Sequence, residues 1–345
     1  MNQYRDTNTS DKKLLEVKHL KKYFAIEKGL LRRVVGHVRA VDDVSLYIKE
    51  GEAFGLVGES GSGKTTLGRC IVRAITPTEG EILFRLPDGR VVNLARMDRQ
   101  ELRGVRRYMH MIFQDPYSSL NPRMTVRDII AEPLRYNNLG NDREINERVK
   151  ELMQLVGLEI RHLKRYPHAF SGGQRQRIGI ARSLAINPRL IVCDEAVSAL
   201  DVSIQAQILN LLLDLQERFK LTYLFIAHDL SVVKHISHRI GVMYVGKIVE
   251  MTDTEELFAN PRHPYTEALL SAVPKTDPEL KMERIILSGE VANPADPPSG
   301  CYFHPRCRYA KDICRREIPE WEEISTDHFV SCHFARELDL RGVKA

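Results

Sequence analysis

No apolar run in this sequence approaches the ~18 residues that a membrane helix needs, so no part of it is expected to span a bilayer. Residues 1–13 are polar and lack the apolar core of a signal peptide, and they read as a disordered tail. Internal repeats are absent, as is any cysteine pair of the C-x₂₋₄-C kind that structural zinc usually shows. A dominant charge is missing too. Lys and Arg number 51 against 46 Asp and Glu, leaving +5, which suits an anionic ligand but is too weak a surplus to argue for DNA binding. What remains is an ordinary globular composition, 43% hydrophobic and 28% charged, over 345 residues: one large domain or two unequal ones.

The six cysteines are unevenly placed. Cys70 and Cys193 sit singly in apolar segments and read as small buried thiols. Cys301, Cys307, Cys314 and Cys332 cluster near the end, and in a reducing compartment such a cluster points more often to metal than to disulfides. Four thiolates can close a zinc site, but their wide spacings suit an iron–sulfur cluster as well.

Strand-like alternation runs from Leu14 to Ile48, interrupted by a basic loop insertion over Lys28 to Gly36. A buried strand, Ala53 to Val57, feeds a glycine-rich loop and then a helix starting near Lys64. Residues 79–94 read as a hairpin turning at Asp88-Gly89. From about 116 to 187 the pattern is helical; Ile145, Val149, Leu152 and Val156 mark one buried face. Leu190 to Cys193 is a second buried strand, followed by a helix over about Ile204 to Phe219 and a strand over Thr222 to Ala227. Strands alternating with helices predict an α/β domain with a largely parallel sheet over 14–272. Near residue 275 the composition shifts, and a proline-rich stretch leads into the cysteine cluster, marking 275–345 as a C-terminal extension.

The loop Gly58-Glu59-Ser60-Gly61-Ser62-Gly63-Lys64-Thr65-Thr66 fits G-x-x-x-x-G-K-[ST], with a strand before it and a helix after it. Its glycines let backbone N–H groups wrap phosphate oxygens, and the helix N-terminus adds partial positive charge. Lys64 is expected to bridge the β- and γ-phosphates and the Thr65 hydroxyl to hold Mg²⁺. Asp194, at the end of an apolar strand, is the second candidate magnesium ligand, and Glu195 the candidate base for the attacking water. His228 closes the strand ending at Ala227. Such a histidine is commonly structural, but open α/β sheets bind ligands at this edge, which favours a γ-phosphate contact.

Together these residues closely resemble the ATP-binding subunit of an ABC transporter, over about 14–272 and with the motifs in complete order. Gly58 to Thr66 resembles the Walker A loop. Gln114 resembles the Q-loop glutamine that senses the metal and the transmembrane partner. Ser171-Gly172-Gly173-Gln174 resembles the family signature, and Asp194-Glu195 the Walker B end. Ser198 to Asp201 resembles the D-loop and His228 the switch histidine. The fold implied is an ABC-type P-loop ATPase domain, a mixed sheet with a helical subdomain, plus the small cysteine-containing extension. An adenine-stacking aromatic is expected at Phe24, with Tyr23 as its rival. The resemblance also implies a head-to-tail sandwich, in which Ser171 and Gly173 serve an ATP held by a partner subunit.

Further stretches resemble the oligopeptide/dipeptide importers: Gln114 to Pro122, Asp194 to Asp201 with Ala-Val where most relatives carry Pro-Thr, His263-Pro264-Tyr265-Thr266, and Gly300 to Cys307. That branch implies a different second ATPase, two permeases, an extracytoplasmic solute-binding protein, no nucleic acid, and a peripheral place on the cytoplasmic face of the cell membrane. It favours a [4Fe–4S] cluster on the four cysteines over zinc or unmetallated thiols. Nickel or an oligosaccharide is the alternative cargo. A soluble ABC ATPase acting on nucleic acid or ribosomes is the more distant reading.

Overall fold

A computed structural model of the chain describes residues 10–29, 32–115, 117, 119–273 and 284–343. The tail residues 1–9, the composition shift near 275, and Pro116 and Ser118 of the stretch from Gln114 lie outside the described residues.

The chain opens with two long strands, β1 (Ser10–Lys28) and β2 (Arg33–Glu50), so β1 overlaps the expected tail at 10–13. They pair antiparallel as far as Lys28 with Arg33. Within the basic segment 28–36, Lys28 and Arg33 to Gly36 are therefore strand rather than loop. Its charges and glycine read as a loop, but cross-strand pairing carries both strands into it. After β3 (Ala53–Val57) and α1 (Lys64–Ile71) come β4 (Glu79–Arg85) and β5 (Val91–Asn93), with Asp88-Gly89 between them. These four outer strands form an antiparallel sheet in the order β2-β1-β4-β5.

Next are α2 (Arg99–Arg106) and β6 (Met109–Ile112), then the helices α3 (Val126–Tyr136), α4 (Asp142–Leu155) and α5 (Gly172–Leu184). The second half supplies β7 (Leu190–Asp194), α6 (Val202–Phe219), β8 (Thr222–Ile226), α7 (Leu230–Ile236), β9 (Arg239–Tyr244) and β10 (Lys247–Asp253). The end is built of α8 (Thr254–Ala259), α9 (Pro264–Leu270), α10 (Asp312–Arg316), β11 (Glu322–Ser325) and β12 (His328–Val330).

The main sheet has eight strands in the order β11-β12-β10-β9-β3-β8-β7-β6, parallel from β9 to β6 and antiparallel beyond. β3, β7 and β8 are buried along their whole length, which explains their unbroken apolar sequences. Their residues alternate between two cores. Val57, Ile191, Cys193, Tyr223 and Phe225 face the helices, while Phe54, Leu56, Val192, Leu224 and Ile226 face α1 and the antiparallel sheet. The loops after β3, β7 and β8 consequently emerge at one edge, where such sheets bind ligands.

Candidate functional site

The loop after β3 takes its shape from two glycines. Gly58 has φ +152° and Gly63 φ +104°; a Cβ would stand 2.1 Å from the Met243 carbonyl oxygen at the first and 2.0 Å from that of Ala40 at the second. Only glycine fits either position. Ser60 and Gly61 are exposed at the tip, Ser62 is buried, and Thr66 is half-buried on the first turn of α1. Lys64 is buried and reaches back over the loop, its Nζ donating to the carbonyls of Gly58 (2.7 Å) and Glu59 (2.9 Å) and to Ser62 Oγ (3.3 Å). Burial lowers its pKa, against the opposing pull of Glu195, Asp194 and Glu59.

Thr65 Oγ1 donates to Asp194 Oδ1 at 2.7 Å, so two hard oxygens meet at the mouth of the loop. Burial raises the Asp194 pKa, which makes a nearby cation favourable. Glu195 follows with φ +48°, a left-handed conformation rarely held by a non-glycine residue. Its Oε2 accepts from Gln114 Nε2 at 2.8 Å and lies 3.3 Å from His228 Nδ1. Residues from four separate strand ends thus converge here. Ser198 Oγ donates to the Glu195 carbonyl at 3.0 Å, folding the next loop back on this group, and Asp201 stands at the N-cap of α6.

Ser171 caps α5. It shares a reciprocal capping box with Gln174, whose N–H lies 3.4 Å from Ser171 Oγ and whose Oε1 accepts from Ser171 N at 3.0 Å. Gly172 and Gly173 form the first turn, close against Leu200 and Ile204. Among the described residues, no hydrogen bond or ion pair joins Ser171–Gln174 to Lys64, Thr65, Asp194 or Glu195. Phe24 is 39% exposed on β1, whereas the Tyr23 hydroxyl is bound to Asp42.

Two features escaped the sequence reading. The loop is held from outside by Tyr265 and Arg306, both bonded to Glu59. A groove of about 830 Å³ also opens beside Phe113, the neighbour of Gln114. Arg99, Arg103, Arg107 and Glu132 line it together with Met109, Met111 and Ile186.

The cysteine cluster requires a correction. Cys301, Cys307, Cys314 and Cys332 line one small cavity with Phe303 and Phe334. Yet among the described residues no group of three or more His, Cys, Asp or Glu side chains is placed to hold a metal ion, and all four are free cysteines. Burial pushes the Cys301 thiol up, Cys307 to about 11 and Cys332 to about 12. Without a cation beside them, burial favours the thiol form. The expected iron–sulfur cluster, and zinc in its place, are unsupported. Spacing in the sequence reported that the four would gather, not what their surroundings would do to them.

The ABC transporter family matches residues 41–198, and the C-terminal region of the oligopeptide/dipeptide transporters matches 249–314. Oligopeptide transport ATP-binding protein AppF of Bacillus subtilis (strain 168) is 56% identical over 330 residues, covering 95% of this chain and 99% of that protein. The chain belongs to the ABC transporter ATP-binding family. Putative oligopeptide transport ATP-binding protein YkfD of the same organism is 53% identical, covering 95% of this chain and 97% of its own length. Among solved structures, the ATP-binding cassette MJ0796 in a dimeric post-hydrolysis state bound to ADP and Pi aligns with a TM-score of 0.60 at 30% identity. That alignment covers 70% of this chain and 98% of the cassette. As a family member the chain is an ATPase whose turnover is coupled to transport, and its mixed sheet with helices is the cassette fold. Among the described residues no helix is long and apolar enough to cross a membrane.

Proposed function

We propose that this ATPase subunit energises uptake of oligopeptides or dipeptides from a peripheral position on the cytoplasmic face of the membrane. Relatives named for oligopeptide transport span 95% of the chain, and the oligopeptide/dipeptide C-terminal region matches 249–314. Residues 275–345, with the four cysteines, form the extension of that branch.

The catalytic reading rests on one observation, the grouping of Gln114 and His228 on Glu195 beside Thr65 and Asp194. The loop from Gly58 to Thr66 and Lys64 hold the phosphates of ATP, and Phe24 stacks on adenine. Thr65 and Asp194, with Gln114 alongside, would hold magnesium, which when bound neutralises phosphate charge. Both side-chain partners of Glu195 sit on Oε2, which leaves Oε1 to take a proton from the attacking water, and His228 faces the γ-phosphate. Ser171 and the N–H groups at the start of α5 serve a nucleotide on a second subunit. Ser171 Oγ only accepts in its capping contact, which leaves its hydroxyl proton available, and the helix end favours an anion. Asp201 lies beside that junction, as the D-loop does in the resemblance.

Glu195→Gln, which keeps the shape and removes the base, is expected to lower ATP turnover at least ~100-fold while nucleotide binding persists. Steady-state hydrolysis close to the wild type in the assembled transporter would overturn the assignment. The partners we propose are a different ATPase subunit, two permeases and an extracytoplasmic solute-binding protein.

A further inference from the structure

The phosphate loop carries a carboxylate, Glu59, within the stretch that wraps a polyanion. A free acid there would repel the phosphates. It is not free. Arg306 meets it with both prongs of its guanidinium, Nη1 to Oε2 at 2.7 Å and Nη2 to Oε1 at 3.1 Å. The arginine side chain is 8% exposed and the glutamate 28%, so the pair is largely shielded from water. The same residue is fixed at two more atoms: Glu59 N donates to Tyr265 Oη at 2.8 Å, and its carbonyl accepts from Lys64 Nζ. Tyr265 and Phe303, three residues before Arg306, pack with Tyr244 as an aromatic cluster that backs the loop. Arg306 itself lies on a short turn (His304–Arg306) directly before Cys307. A segment 247 residues away in sequence thus grips the loop expected to bind ATP.

We propose that Arg306 is a positioning residue for nucleotide binding. It cancels the Glu59 charge beside the phosphates, making the C-terminal segment an electrostatic brace for the ATP site. Bidentate charge-assisted pairs are strong and directional, and losing Arg306 leaves the half-buried Glu59 carboxylate uncompensated. The inference rests on the reading that residues 58–66 bind the phosphates of ATP.

The test is equilibrium binding of ATP to the full-length chain, by displacement of a fluorescent ATP analogue. Arg306→Met is expected to raise the dissociation constant roughly tenfold. Adding Glu59→Gln to that variant is expected to restore most of the affinity, because no carboxylate then opposes the phosphates. Wild-type affinity in Arg306→Met would overturn the proposal. So would a double variant as weak as the single one, the result of a merely structural arginine. If circular dichroism shows Arg306→Met unfolded, Arg306→Lys decides, since one ammonium cannot hold both oxygens. Affinity lowered and then recovered by Glu59→Gln supports the proposal, and affinity equal to the wild type overturns it. A wild-type chain that binds no ATP, or Lys64→Ala that binds as well as the wild type, would overturn the phosphate-loop reading and the inference with it. The Arg306 series read against normal controls concerns the brace alone.

Discussion

Gly63 has almost no room to change. A methyl group there would press on a backbone oxygen at 2.0 Å, and φ +104° adds strain of about 1–3 kcal/mol for any L side chain. Gly63→Ala is therefore expected to reshape the loop and abolish ATP binding while leaving the circular dichroism spectrum intact. Normal nucleotide affinity in that variant would show that the loop adapts. Residue identity made much of this neighbourhood legible in advance, because a lysine after a glycine loop, or an acidic pair ending an apolar strand, carries its chemistry in its type. Contacts over long separations were not legible. Nothing local to Arg306 announces Glu59, and nothing in the cysteine spacing announces the shell that keeps Cys307 and Cys332 as thiols. Phe24 and Tyr23 could not be ranked firmly from sequence, since what separates them is that the Tyr23 hydroxyl is tied to Asp42.

Among the elements, α9 shows how a local rule and burial combine. His263 caps it, with Nδ1 accepting from Tyr265 N at 3.1 Å, and Pro264 fills the first helical position. The ring is 1% exposed, and burial lowers its pKa to about 3. The unfolded chain, with a histidine near pH 6.5, therefore binds the proton first as pH falls. Stability from the neutral histidine is complete above 6.5 and declines as pH drops towards 3, by about 1.4 kcal/mol per pH unit once well below 6.5. His263→Asn keeps a capping oxygen and removes the titration. The urea midpoint of the wild type is expected to fall between pH 7 and pH 5, and that of the variant to fall less; equal declines would remove His263 as the cause. The sequence marked His263-Pro264-Tyr265-Thr266 only by its resemblance to the importers and not as a helix start, whereas the buried parallel strands announced themselves by continuous apolar runs. The β1–β2 hairpin was obscured for the opposite reason. Its outer half faces water, so charges and a glycine mask the pairing that holds it.

At the scale of the whole molecule, we propose that the permeases dock at the groove beside Phe113. α2 and α3 form its walls, and Arg103 lies over the Tyr136 ring at 5.1 Å, joining the two across the opening. Arg99, Arg103, Arg106, Arg107 and Arg182 outnumber the one carboxylate, Glu132, in its lining, and Met109, Met111, Phe113 and Ile186 add apolar surface, a combination that fits a short amphipathic helix carrying acidic residues, such as a cytoplasmic loop of a permease. Through Phe113 the groove adjoins Gln114, which bonds to Glu195, so a shift of the docked helix can reach the proposed base through one residue. Reversing two of the groove charges with Arg103→Glu and Arg107→Glu leaves the phosphate loop untouched. The double variant is expected to bind ATP as the wild type does, but to lose co-purification with the permeases and with it at least ~10-fold of transport-coupled turnover. The loss should be largest at low salt, where the attraction between groove and helix is least screened in the wild type. Undiminished co-purification of the double variant would place permease docking on another face and leave the groove without a role in coupling.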